Sequence, residues 1–294
     1  MAVTVNTTTT TQYGALAVKE IDFISRFESN WDALREIMGV SRPIVKPDGA
    51  QISASKVTVE LQDGAVAEGD EVPLSQATAV PVTFEQITMQ KYRTRVTAEL
   101  VQKHGPELAV QKTDDAFLAK ITGKIMDKFF TFVQTGTLTS NEATFQMALS
   151  MAITRARDKF KSANLNYTSI VAFVNTLDIG RYLGGAEISI QTQNGVEYLK
   201  NFLGADTVII TSQIPEGTVI ATPADNIVMY YIDPASYGMK ALGLDYTTSN
   251  APVSLIGVHK EGVYGRVAGD THAICGVTLF AEYLDGIAVV KVTA

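Results

Sequence analysis

The sequence predicts an α+β fold. A strand period of two runs through residues 56–96, and a helical period begins at Pro106 and is renewed between Thr139 and Phe160. The last fifty residues return to strand pattern. Helices and strands come in blocks, without the regular βαβ alternation of a parallel sheet, and no internal repeat is present.

Composition bounds the class. Hydrophobic residues make up 46% and charged residues 19% of the 294 residues, a globular balance with length enough for one large domain or two ordinary ones. The net charge of -7 argues against general affinity for nucleic acid or anionic membrane. Cys275 is the single cysteine, so an intrachain disulfide and a cysteine-based zinc site are excluded, in keeping with a reducing cytosol. The N-terminus lacks the basic start and apolar core of a secretory signal. No apolar run approaches the roughly 20 residues that span a bilayer, so no membrane association is expected.

Taken in order, residues 1–20 are polar and Thr-rich and read as an extended arm. Asp22 is a candidate N-cap for a short amphipathic helix carrying Phe23, Phe27, Trp31, Leu34 and Met38, closed by Gly39. "SRPIVKPDG" then reads as loop. Residues 56–96 read as a long hairpin: Val57, Val59 and Leu61 alternate outward, and Val80, Val82 and Phe84 alternate on the return. The parity switches at Ile87 and Met89, which predicts a bulge near Glu85–Gln86. The tip "LQDGAVAEGDEVPLSQATAVP" carries Asp63, Glu68, Asp70 and Glu71 with no cation. Lys91, Arg93 and Arg95 follow as a basic stripe at strand spacing.

Phe117, Ile121, Ile125, Phe129 and Phe132 mark the apolar face of a long helix ending near Gln134. Lys120, Lys124 and Lys128 form a second stripe on it, read as a solvated face, with contact to nucleic acid as the functional alternative. A capping-box pattern from Thr139 to Glu142 predicts the next helix, with Phe145, Leu149, Ile153, Ala156 and Phe160 inward. "SIVAFV" reads as a buried strand leading into a helix from Asn175 to about Leu183. "GVEYLKNFLG" reads as a further short helix, and "DTVIITSQI", "GTVIATP" and "NIVMYYID" as strands. Asp285-Gly286 between two apolar runs predicts a hairpin turn.

Chemistry-bearing patterns are sparse. His104, His259 and His272 lack a second ligand at metal spacing. His272 and Cys275, three apart in a strand, point to opposite faces. Neither a nucleophile elbow nor a phosphate-binding loop is present, and "GRYLGG" follows a helix where a dinucleotide loop follows a strand. Asp114-Asp115 at a helix start complement the helix dipole. The expectation is a protein that is not an enzyme and holds neither cofactor nor metal.

The hairpin itself points to assembly. Limbs of about 15–18 residues at roughly 3.3 Å each reach on the order of 50 Å, whereas a compact chain of this length has a radius of gyration of about 19 Å. An isolated ribbon is marginal in water and invites a partner. Within one extended hairpin the acidic tip and basic stripe lie beyond a Debye length of about 8 Å. Between molecules placed head to tail they can meet, and repeated contacts of that kind close into rings or shells.

This order of parts resembles the major capsid proteins of tailed bacteriophages, over essentially the whole chain. The resemblance rests on "MDKFFTFVQTGT", "IVAFVNTLDIGRYL" and "LFAEYLDGIAVVKV" in that sequence order. It implies a phage-capsid-type fold, with an N-terminal arm (1–49) and an extended hairpin loop (50–96). A peripheral domain would hold the spine helix (97–139) and the C-terminal strands (245–294), with an axial domain over 140–244. It implies pentamers and hexamers in an icosahedral shell around double-stranded DNA, contacted non-specifically at the inner surface. The location the resemblance implies is the virion, after assembly in the bacterial cytoplasm. Some relatives weld subunits through a lysine of the extended loop, but residues 57–90 contain none, so non-covalent holding is expected. With only a short arm ahead of the loop, a separate scaffolding protein, together with a portal, is expected. The subunit interface is assigned to Asp63, Glu68, Asp70, Glu71, Lys91, Arg93, Arg95, Phe23, Phe27 and Trp31. The nearest alternative is an encapsulin, a bacterial storage shell of the same fold, and a second is an α+β enzyme.

Overall fold

The computed structural model describes residues 40–67, 71–184, 191–193, 196–202, 204–248 and 255–293. The arm, with Phe23, Phe27 and Trp31, and the tip residues Glu68 and Asp70 lie outside the described residues.

The centre is a seven-stranded mixed sheet. Its strands, in spatial order, are β5 (Leu138–Glu142), β16 (Ala288–Val292), β10 (Thr218–Pro223), β6 (Ile170–Asn175), β9 (Ala205–Thr211), β8 (Val196–Phe202) and β7 (Gln191–Gln193). All six residues of β6 are buried, because helices cover both faces of the sheet. Val171, Phe173, Ile209, Ile220 and Val289 join the cluster around the long helix α2 (Lys112–Val133). Ala172, Val174, Val208, Ile210, Val219, Ala221, Ala288 and Val290 join that around helix α3 (Phe145–Ser162). Successive side chains on a strand take opposite faces, so one apolar run serves two cores.

Helix α2 continues a π-turn at Glu107–Gln111, preceded by the short helix α1 (Ala98–His104), which sequence periodicity missed. Leu118, Ile121, Ile125, Phe129, Phe130 and Val133 of α2 are buried, while the stripe members Phe117 and Phe132 are only partly so. Phe129, Phe130 and Phe173 meet edge to face at 5.3–5.8 Å. On α3, Ala148, Ala152 and Ala156 recur every four residues and let the sheet approach closely, with Leu149, Ile153 and Phe160 filling beside them.

Two smaller sheets flank α2. One holds β1 (Ser41–Val45), β11 (Ile227–Tyr231) and β15 (Val277–Ala281). The other holds β12 (Thr247–Thr248), β13 (Ile256–Val263), β14 (Ala268–Cys275) and β4 (Gln90–Thr97). The pair β2 (Gln51–Glu60) and β3 (Gln76–Gln86) forms a ribbon that joins none of these sheets.

Several local expectations are corrected. Ser41–Val45 is a strand, not loop: it pairs in parallel with Ile227–Tyr231, and its Pro43 is tolerated because β1 is an edge. The capping box at Thr139 and Glu142 is absent, because Leu138–Glu142 pairs with β16; α3 starts instead at Thr144, whose hydroxyl accepts from Met147 N at 3.3 Å. Val196–Phe202 is a strand, drawn into antiparallel register with β9 against its helical spacing. Asp285-Gly286 is a 3₁₀ turn and not a hairpin: the strands on either side of it, β15 and β16, belong to different sheets. Asp114 does more than complement a dipole. It is fully buried on α2, where Lys260 Nζ donates at 2.5 Å and Thr271 Oγ1 at 2.9 Å, fastening the helix to β13 and β14.

The strands expected at "SIVAFV", "DTVIITSQI", "GTVIATP" and "NIVMYYID" are present, at Ile170–Asn175, Ala205–Thr211, Thr218–Pro223 and Ile227–Tyr231, as is the helix α4 (Thr176–Leu183), capped by Asn175 accepting from Leu177 N at 2.7 Å. A short helix α5 (Tyr237–Ala241) completes the described helices.

Two substitutions test this packing. Asp114→Ala removes the fully buried carboxylate to which Lys260 and Thr271 both donate, and is expected to cost about 3–5 kcal/mol in a urea titration. Gly286→Ala places a methyl 2.2 Å from Phe160 Cε2, and is expected to cost about 1–3 kcal/mol by the same measurement.

Candidate functional site

The ribbon is anchored at a tight turn. Pro47-Asp48-Gly49-Ala50 closes with Ala50 N donating to Pro47 O at 3.2 Å, and Gly49 takes φ of 78°, which a β-carbon would strain. Gly49 N donates to Ile87 O at 3.0 Å, Ile87 N donates to Ala50 O at 3.2 Å, and Met89 N donates to Asp48 Oδ1 at 2.9 Å. Ile52 and Ile87 are buried at this base. The register steps from Gln51 opposite Gln86 to Ser53 opposite Thr83. Ile52 therefore faces two residues, Phe84 and Glu85, which is the bulge the parity switch predicts.

Beyond the base, pairing ends at Glu60 and Gln76, so the paired limbs are 10 and 11 residues long, shorter than the sequence pattern suggests. At about 3.3 Å per residue the ribbon still extends some 30 Å. The tip exposes apolar side chains: Leu61 is 82% and Leu74 92% accessible, with Val72 also exposed. Asp63 and Glu71 are exposed among them, and Asp63 Oδ1 accepts from Ala65 N at 3.0 Å.

The basic stripe has a different local environment. Lys91, Arg93 and Arg95 lie on β4, paired with β14 in the four-stranded sheet. Lys91 is exposed. Arg93 and Arg95 converge on buried Asp270: Arg95 Nε donates to Oδ1 at 2.6 Å, its Nη2 to Oδ2 at 2.7 Å, and Arg93 Nε to Oδ2 at 2.7 Å. These hydrogen bonds, led by that from Arg95, hold the Asp270 carboxyl well below the usual carboxylate range, against the opposing effect of burial. The acidic tip therefore has no claim on unpaired arginines here. Sequence reading missed Asp270 because register alone places it beside Arg95.

Register also sets His259, His272 and Arg93 in one row, and Glu261, Asp270 and Arg95 in the row two steps along on the same face. His272 Nε2 lies 3.0 Å from Glu261 Oε1. Glu261, Asp270 and His272 offer three metal-type donors within 4.8 Å of one another, but guanidinium groups occupy both Asp270 oxygens, which does not suit a cation. Cys275 is buried, and burial pushes its thiol up to about 11, where it is a poor nucleophile.

The lysine stripe of α2 divides. Lys120 is exposed, Lys124 sits 4.9 Å from the Tyr92 ring centroid, and Lys128 Nζ donates to Val277 O at 2.7 Å. Two of the three thus help hold α2 to neighbouring strands. No described helix is long and apolar enough to cross a membrane.

No family model matches the sequence, and no curated protein does. Solved structures do. The capsid of the native GTA particle aligns at TM-score 0.55 and 10% identity, over 88% of this chain and 90% of that chain. A structure from Gordonia phage Cozz aligns at 0.55 and 10% identity, over 87% and 85%. The holo-SrpI encapsulin of Synechococcus elongatus PCC 7942 aligns at 0.53 and 10% identity, over 87% and 86%. The chain has the α+β fold shared by phage-type capsids and encapsulins.

The Asp270 contact gives a pH signature. A carboxyl held low in the folded chain stabilises it above the ordinary Asp pKa of about 3.9, and the benefit drains away as pH falls below that. Asp270→Asn is expected to lower the urea midpoint at pH 7, with the deficit against wild type shrinking below about pH 4. A deficit constant from pH 7 to pH 3 contradicts the assignment.

Proposed function

We propose that this chain is a major capsid protein, a structural subunit that assembles as pentamers and hexamers into an icosahedral shell around double-stranded DNA. The observation that carries the reading is the ribbon: a two-stranded sheet outside the three body sheets, tipped with Leu61, Val72 and Leu74. It belongs to a chain whose fold extends over 85–90% of shell-type subunits. Exposed apolar tips on a marginal ribbon are stabilised by burial against another copy.

In this reading 50–96 is the loop that crosses a neighbouring subunit and 1–49 the arm. Residues 97–139 and 245–294 form the peripheral domain, and 140–244 the axial domain. The tip acids Asp63, Glu68, Asp70 and Glu71 meet the Lys91–Arg95 stripe of the next subunit. Asp270 holds Arg93 and Arg95 in fixed positions, and Arg93, half-exposed, keeps surface for a second carboxylate. Holding is non-covalent, because 57–90 lacks lysine. The role is mechanical and not catalytic, and the location is the virion after assembly in a bacterial cytoplasm.

A second reading, an encapsulin shell, is supported by an alignment of comparable quality to the SrpI encapsulin. Particle contents separate the two: packaged nucleic acid supports the capsid, and a co-purifying cargo protein supports the encapsulin.

Electron microscopy of the purified full chain is expected to reveal hollow particles of megadalton mass, and a persistent small species overturns the reading. Asp70→Lys with Glu71→Lys is expected to reduce particle yield while leaving the circular dichroism of the subunit unchanged. Individual rim charges are worth about 0–1 kcal/mol, but each recurs at every interface. Undiminished yield removes the tip from the contact.

A further inference from the structure

A groove of about 820 Å³ opens between the ribbon and the end of α3. Val59 of β2 forms one wall, and Phe160, Leu165, Tyr167 and Tyr283 form the other. The aromatic wall is ordered: Phe160 meets Tyr167 and Tyr283 edge to face at 6.2 and 5.6 Å. Val59 is 54% and Leu165 41% exposed, so apolar surface faces solvent on both sides. The volume lies within the range of pockets that enclose a drug-sized molecule, on the order of 300–1,000 Å³, enough for several aromatic side chains.

The position of the chain's exit selects an occupant. Asp225, another lining residue, donates its N–H to Val40 O at 3.1 Å, and Arg42, two residues further on, lines the groove as well. Val40, the first described residue, is thus joined directly to the groove's lining, with thirty-nine residues of sequence before it. They contain Phe23, Phe27, Trp31, Leu34 and Met38, spaced four, four, three and four apart, which is one face of a helix. Trp31 is nine residues from Val40, a span of about 13 Å if helical and up to roughly 30 Å if extended. Arg42 pairs with Glu282, another lining residue, so two of the three charges lining the groove match each other, Asp225 adds one exposed carboxylate, and apolar burial is left as the main attraction.

We propose that this groove is the seat of the chain's own N-terminal segment, with the Phe23–Phe27–Trp31 face packed on Leu165, Tyr167 and Val59. The segment wedges the ribbon against α3 and so sets the angle at which the ribbon leaves the body. The proposal is independent of what the shell encloses.

Trp31 is the only tryptophan, so its fluorescence reports the seat directly in the full chain. The folded protein is expected to emit at the short wavelengths of a shielded indole. Leu165→Glu, at an exposed position, is expected to shift the emission to the red and raise iodide quenching, with far-ultraviolet circular dichroism unchanged. Emission already at the exposed-indole position, or unmoved by Leu165→Glu, overturns the proposal. Cross-linking decides whose segment is seated, since Cys275 is buried and its thiol is unreactive. Trp31→Cys with Leu165→Cys, treated with a short bismaleimide, is expected to join within one chain. A product formed only between chains, on mixing the two single variants, overturns the own-chain seat and assigns the groove to a neighbour.

Discussion

A central sheet that must be buried on both faces governs the rest of this molecule. β6 has no solvent side, so each apolar residue along it commits to α2 or to α3, and the two helices are held on opposite faces of the sheet. That partition places α2 where it can also receive the two smaller sheets, and it places the end of α3 beside the turn at Gly286. A slip of one residue in any central strand would exchange the two cores, so the register is strongly specified.

The polar contacts work within that frame. Asp114 fastens α2 to the inner face of the four-stranded sheet through Lys260 and Thr271. Asp270 fastens β4 to β14 on the opposite face through two arginines. β4 follows the ribbon directly, so the ribbon's return limb is tied to the sheet by these charge-assisted bonds and its outgoing limb by the Pro47–Ala50 turn. The ribbon is therefore firmly rooted and bare at its end. Firm rooting limits the entropy lost when such an element docks on a partner.

The sequence by itself determined the class and much of the order of elements. It located the long helix, the strand–helix unit capped by Asn175, the bulge and the exposed Asp63 and Glu71, because period, capping residues and parity are local properties. Among the described residues one cluster of metal-type donors is assembled, and guanidinium groups occupy both oxygens of its Asp270. The tertiary structure decided what depends on partners distant in the chain. Leu138–Glu142 and Val196–Phe202 carry helix signals and are strands, because strands whose paired residues lie 150 and 3–13 positions away recruit them. Asp285-Gly286 carries a hairpin signal, yet its flanking strands enter separate sheets. Arg93 and Arg95 read as a free stripe, and only cross-strand register, 175–177 residues apart, sets a buried carboxylate between them.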